Sequence, residues 1–111
     1  MAGQTSQTLI VARMSAEHAE RVAGIFAESD AGDLPGMLGV RRRSLFRFHD
    51  VYVHLIESDQ DVRPGLEQVR GGPLFQDVNS KLAPFVLPYD PATWAGPQDA
   101  MAERFYHWRA R

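Results

Sequence analysis

Asp30, Arg43 and His54 are the residues best suited to do chemistry, and Arg43 and His54 occur in otherwise apolar segments. Three consecutive arginines, Arg41–Arg43, lie near the start of VRRRSLFRF, and His54 lies inside VYVHLIE. A buried guanidinium is costly without an anionic partner, so an arginine that faces the interior needs a carboxylate or an anionic ligand. Asp30 and Asp33 are the candidate carboxylates, because they stand at the end of a predicted helix.

Position along the strand separates the arginines that we expect in solvent from those that we expect near a cavity. Arg41 and Arg42 flank the end of the predicted strand, where arginines are usually solvated. Arg43 and Arg47 lie deeper in the strand and share one face, since strand side chains alternate. One of these two is therefore expected to face a cavity.

His54 admits two interpretations. It is either a neutral imidazole bonded to a backbone or side-chain partner, or a general acid or base, since an unperturbed pKa of about 6.5 suits proton transfer near neutrality. The histidines show no spacing typical of a metal site, and the chain has no cysteine. From spacing alone, the sequence predicts an Arg-His-Asp pocket without a metal.

The elements that must position these residues follow the order β-α-β-β-α-β. They comprise a strand at 8–14, a helix at 15–29, hairpin strands at 40–48 and 51–57, helical segments at 58–72 and 73–85, a connector at 87–100 and a last strand at 101–109. This order predicts an α+β, ferredoxin-like fold with an antiparallel sheet, in a single domain over residues 1–111.

The strand VYVHLI has no face made for water. Its odd positions are all apolar, and its even positions hold a tyrosine, a histidine and an isoleucine. Helices cover only one face of a ferredoxin-like sheet, so something else must cover the second face, most simply another copy of the same sheet. The pattern therefore predicts a homodimer formed face to face about a two-fold axis.

Composition excludes several classes of partner. The net charge of −2 does not suggest binding to nucleic acid or to an anionic membrane surface. The N-terminus lacks the pattern of a signal peptide, and no segment has the apolar length of a membrane span. We therefore expect a cytoplasmic protein.

Several segments carry a resemblance to a known family. They are ARM at 12–14, FAESD at 26–30, LP at 34–35, GVRRRSLFRFHDVYVHLIESDQD at 39–61, PLFQDVN at 73–79, PYDP at 88–91 and AERFYHW at 102–108. From about Leu9 to Trp108 the chain resembles the tetracenomycin-type aromatic polyketide cyclases of bacterial type II polyketide synthase pathways.

The resemblance implies a dimeric α+β barrel whose subunits each have a pocket between sheet and helices, with no metal and no organic cofactor. It implies aldol cyclisation and dehydration of a poly-β-ketone, in antibiotic or spore-pigment biosynthesis. The small-molecule partner would be an aromatic polyketide intermediate. Polyketide synthase components or an acyl carrier protein are further candidate partners.

The matching motifs also imply the catalytic positions. Arg43 is expected to hydrogen-bond an oxygen on which negative charge develops. His54 is expected to move a proton, and Asp30 to orient Arg43 or to act as an auxiliary base.

Four further residues are expected to bind substrate. Ser29 stands where relatives often have a histidine before the aspartate, so a mechanism that uses that histidine cannot apply unchanged. Phe26, Phe46 and Phe48 are expected to wall the pocket, with core packing as the alternative role for each.

Two other functions compete with cyclisation. A cofactor-free monooxygenase of the same dimeric α+β barrel type would consume oxygen with an aromatic polyketide, and fold alone does not separate the two enzymes. A non-catalytic folding template would direct cyclisation without proton transfer, and it would tolerate His54→Gln.

Overall fold

A single antiparallel sheet holds the strands that carry the predicted site. The computed structural model describes residues 6–111, and residues 1–5 of the predicted domain lie outside the described residues. The strands are β1 Ser6–Arg13, β2 Val40–Phe48, β3 Val51–Ser58 and β4 Leu87–Pro88. Their spatial order is β2-β3-β1-β4, which is the ferredoxin-like order and confirms the predicted α+β fold class.

Helices fill the connections between strands. They are α1 Ala19–Asp30, α2 Leu34–Leu38, α3 Val62–Val69 and α4 Pro73–Leu82, with 3₁₀ turns at Ala16–His18 and Pro97–Ala100. The turn-rich segment after α1 forms α2, which was not predicted; Pro35 fits its first turn, and Gly39 ends it with a φ of 69°. No helix within residues 6–111 has both the length and the apolar character needed to cross a membrane.

The hairpin of β2 and β3 fixes the register of the site. Its turn is at His49-Asp50, as predicted, with His49 in the left-handed region at a φ of 54°. Leu45 lies opposite His54, and Arg43 lies opposite Ile56. Arg43 and His54 are therefore diagonal neighbours on one face of the sheet, within reach of a long side chain.

The prediction of a strand over residues 101–109 is wrong. Met101 makes a single bridge with Ile10, the Ala102 N–H donates to the Leu9 carbonyl at 2.7 Å, and the side chains of 102–111 are exposed. The fourth strand is instead β4, which pairs with the end of β1. The tail has the alternation of a strand, but a strand also needs a free edge to pair with, and residues 103–111 pair with none of the described strands.

The two faces of the sheet differ in their surroundings. The face under α1 and α4 holds the core, whose buried residues are Ala12, Met14, Val22, Phe26 and Tyr52. On the opposite face, Phe46 and Phe48 are 55% and 70% exposed. Their neighbours there are half-buried aliphatic residues of β1 and β3, namely Leu9, Val11, Val53 and Leu55.

Candidate active site

Asp30, Arg43 and His54 meet on the helix-covered face of the sheet. Arg43 donates to the Asp30 carboxylate through Nε at 3.0 Å and Nη2 at 2.8 Å. Its third nitrogen, Nη1, lies 2.8 Å from His54 Nε2. Of the two arginines that were candidates, Arg43 therefore faces inward, whereas Arg47 donates to the His49 carbonyl in the exposed hairpin turn.

The hydrogen bonds fix the tautomer of His54. A guanidinium nitrogen only donates, so His54 Nε2 is the acceptor and the ring proton is on Nδ1. Burial, reinforced by the charge of Arg43, lowers the pKa of His54 to about 3, so the ring is neutral at neutral pH. His54 is thus a buried, neutral imidazole with side-chain partners, and its Nε2 lone pair is occupied by Arg43.

Tyr52 is a fourth member of this network and was not among the predicted site residues. Its hydroxyl lies 3.2 Å from His54 Nδ1, and the side chain is buried. Burial raises the pKa of Tyr52, against a smaller opposing effect of the Arg43 charge. Strand alternation could have found it, because Tyr52 precedes His54 by two residues and shares its face.

Phe26 packs against both partners of the central hydrogen bond. Its ring centroid lies 4.9 Å from that of His54 in an edge arrangement, and the Arg43 guanidinium carbon lies 4.7 Å from it. The ring holds the two polar groups in place and stabilises the cation through its π face.

Arg43 and His54 lie in the wall of a cavity of about 180 Å³, whereas Asp30 is joined to it through Arg43 and is not a lining residue. Ser29, Phe26, Arg43, Tyr52 and His54 all line it. The other walls are mostly apolar and include Leu38, Leu66, Phe75, Leu82, Val86 and Trp94. Trp94 comes from the connector after β4, where no periodic pattern marks a side chain as inward.

Phe46 and Phe48 do not line this cavity, contrary to the sequence expectation. They lie opposite Val53 and Val51, on the other face of the sheet from His54. Strand alternation is the physical reason, since Arg43 and Phe46 are an odd number of residues apart.

The arrangement can bind oxygens and move protons. It combines guanidinium N–H groups, an imidazole, a phenol and a carboxylate beside an apolar cavity, which suits a carbon skeleton that bears keto or enol oxygens. Within residues 6–111, no three His, Asp or Glu side chains cluster as a metal site.

Comparison with known proteins identifies the family. The model of the polyketide synthesis cyclase family matches residues 6–109. The chain is 50% identical over 100 residues to polyketide synthase CurG of Streptomyces cyaneus, covering 90% of this chain and 94% of that protein. It is 49% identical over 104 residues to tetracenomycin F2 cyclase of Streptomyces glaucescens, covering 94% of each chain. The solved structure of that type II polyketide cyclase superposes with a TM-score of 0.90 at 48% identity, covering 96% of this chain and 99% of the other. The chain therefore belongs to the polyketide synthesis cyclase family.

Proposed function

We propose that this chain closes a ring in a poly-β-ketone by intramolecular aldol condensation and then dehydration. The observation that carries the proposal is that Arg43, held by Asp30, and His54 line an apolar cavity in a member of the polyketide cyclase family. Apolar walls suit the carbon chain, and the polar cluster suits its keto oxygens.

The proposed reaction needs no external oxidant or reductant. A methylene between two carbonyls loses a proton, and the enolate carbon forms a bond to a carbonyl carbon of the same chain. The new alkoxide takes up a proton, and loss of that hydroxyl with a neighbouring hydrogen releases water. Because the methylene is already acidic, holding the flexible chain in one fold is the larger contribution of the protein.

In this proposal Arg43 binds the substrate oxygen that gains negative charge, and His54 accepts the methylene proton. When a substrate oxygen takes the Nη1 hydrogen bond, the Nε2 lone pair of His54 becomes free to accept the methylene proton. Burial lowers the pKa of His54 most and the Arg43 charge lowers it further; the enolate charge offsets the second effect, so the base gains strength as the oxyanion forms. Asp30 keeps Arg43 oriented through its two-nitrogen contact.

The experiment expresses a minimal type II polyketide synthase with and without this protein and resolves the products by mass spectrometry and NMR. We expect a new ring system whose composition is that of the linear chain less water. Arg43→Ala and His54→Gln should abolish the new product. Arg41→Ala is the matched control, since Arg41 is on the same strand, its side chain is 68% exposed and it pairs with Asp59.

Three outcomes would contradict the proposal. A product that has gained oxygen would indicate a monooxygenase. Full activity of His54→Gln would indicate a folding template without proton transfer. An unchanged product mixture with the wild-type protein, in the synthase whose genes accompany it, would contradict cyclisation of a polyketone.

A homodimer through the open sheet face is the second part of the proposal. Its support is that Phe46 and Phe48 are 55% and 70% exposed beside half-buried aliphatic side chains. Contiguous apolar surface of this kind marks interaction sites. Phe46→Asp should convert a dimer to a monomer in sedimentation equilibrium, whereas Leu74→Asp, at an exposed position on α4, should not. A monomeric wild-type protein would refute it.

Contact with the synthase is a further proposal, supported by the relation to a protein named polyketide synthase. Co-purification of the protein with a tagged acyl carrier protein tests it, and the expected result is retention that depends on a loaded polyketide chain. A cytoplasmic location stays a prediction, which fractionation of the producing cells would test.

A further inference from the structure

We propose that Tyr52 donates a hydrogen bond to the carbonyl oxygen that is attacked when the ring closes. Tyr52 would then be a catalytic residue, and His54 would also be the residue that positions it. The inference deepens the proposed function and rests on it, but the experiment below separates the two.

The direction of the hydrogen bonds determines what the Tyr52 hydroxyl can do. Because Arg43 donates to Nε2, the proton of His54 is on Nδ1 and points to the Tyr52 oxygen at 3.2 Å. The Tyr52 oxygen is therefore an acceptor in this contact. Its own hydrogen is not used there, and His54 is the side-chain partner of this hydroxyl among the described residues.

The location of Tyr52 allows its hydroxyl hydrogen to be donated to a substrate oxygen in the cavity. The side chain is 3% exposed, lines the cavity and lies on the same strand face as His54. Burial also raises its pKa, so the phenol keeps its proton and serves as a neutral donor. A preorganised donor aimed at a developing oxyanion stabilises it without having to reorganise at the moment of reaction.

His54 links the methylene that loses its proton to the carbonyl that is attacked, because one ring nitrogen serves each. When Nε2 takes the methylene proton, the imidazole becomes a cation and its Nδ1–H becomes a stronger donor to Tyr52. A phenol whose oxygen accepts a stronger hydrogen bond donates its own hydrogen more strongly. The donor therefore strengthens as the carbonyl oxygen gains charge, and the proton of Tyr52 need not leave.

The experiment measures a hydrogen bond and a rate in the same set of proteins. The infrared carbonyl band of bound 1-tetralone, labelled with ¹³C at the carbonyl, is recorded for the wild type, Tyr52→Phe and Tyr89→Phe. We expect a shift to lower frequency in the wild type and in the Tyr89→Phe control, since the Tyr89 side chain is half exposed, and loss of the shift in Tyr52→Phe. Cyclisation by Tyr52→Phe should fall on the order of 100-fold in kcat with little change in KM.

The outcomes separate this inference from the proposed function. A wild-type protein that shifts the carbonyl band without cyclising polyketones contradicts the function and supports the hydrogen bond. An active wild-type protein with no band shift, or a Tyr52→Phe variant with wild-type kcat, overturns the inference alone. If Tyr52→Phe does not fold, 3-fluorotyrosine at position 52 replaces it: the more acidic phenol should enlarge the shift, and an unchanged band overturns the inference.

Discussion

Acid should destabilise the protein through His54 well above the pH at which carboxylates usually titrate. The unfolded chain holds this imidazole at its ordinary pKa of 6.5, whereas burial and Arg43 lower the pKa to about 3 in the folded protein. As the pH falls, the unfolded state therefore binds the proton at a higher pH than the folded state does. The contribution of His54 to stability is present above pH 6.5 and is lost as the pH falls from 6.5 towards 3.

The structure gives the size of this effect. Below the unfolded pKa and above the folded one, a single group changes the free energy of unfolding by about 1.4 kcal/mol per pH unit. From pH 7 to pH 5 the loss from His54 is about 2 kcal/mol, since the ionisation of the unfolded chain begins near its ordinary pKa. Tyr52, whose hydroxyl contacts the ring, keeps its proton over this interval because burial raises its pKa.

Urea unfolding followed by tryptophan fluorescence measures the effect. Wild type and His54→Gln are compared at pH 7 and pH 5, at one protein concentration so that self-association affects both equally. Asp30 and the other carboxylates are common to the two proteins, so the difference between their pH dependences isolates His54. We expect the wild type to lose about 2 kcal/mol more than the variant.

An equal loss in the two proteins would refute the reasoning. It would mean that the imidazole is solvated or that it titrates in the folded protein near its ordinary pKa. Nitrogen NMR gives an independent check, because His54 should keep the Nδ1–H form between pH 5 and pH 8, a range well above its pKa of about 3.

The remaining predictions concern the neighbours of His54. Arg43→Lys keeps the charge but cannot bind two Asp30 oxygens and Nε2 together, so kcat should fall on the order of 100-fold, and a fall of less than about two-fold would contradict the oxyanion role. Asp30→Asn should lower the free energy of unfolding by about 1–2 kcal/mol in urea, less than for a fully buried pair because the Asp30 side chain is 37% exposed. A neutral result would show that the pair is solvated. Phe26→Leu should cost about 1–2 kcal/mol through the lost edge and cation–π contacts, and unchanged stability would show that the ring is not a support.

The sequence predicted the parts of the site that depend on strand alternation. Arg43 and His54 lie on one face because their positions on two paired strands require it, and alternation could also have found Tyr52 and excluded Phe46. The expectation that Phe46 and Phe48 wall the pocket failed because both lie on the strand face opposite Arg43 and His54.

Other features depend on packing between distant segments. Asp30 rather than Asp33 reaches Arg43 because α1 ends at Asp30, and helix ends are set by contacts that a single sequence does not encode locally. Trp94 enters the cavity from a connector without any repeating pattern. The misplaced last strand shows the same limit, since alternation identifies a segment able to form a strand and not the edge on which it would pair.

The separation between polar and apolar walls has a consequence for how such proteins diversify. The polar groups stand on β2, β3 and the end of α1, whereas much of the apolar wall comes from α2, α3, α4 and the connector. Substitutions in the second set can resize the space offered to a growing chain without shifting the paired strands that hold the donors. A lineage can therefore alter the shape of its cavity through its helices and connector while inheriting the same polar cluster.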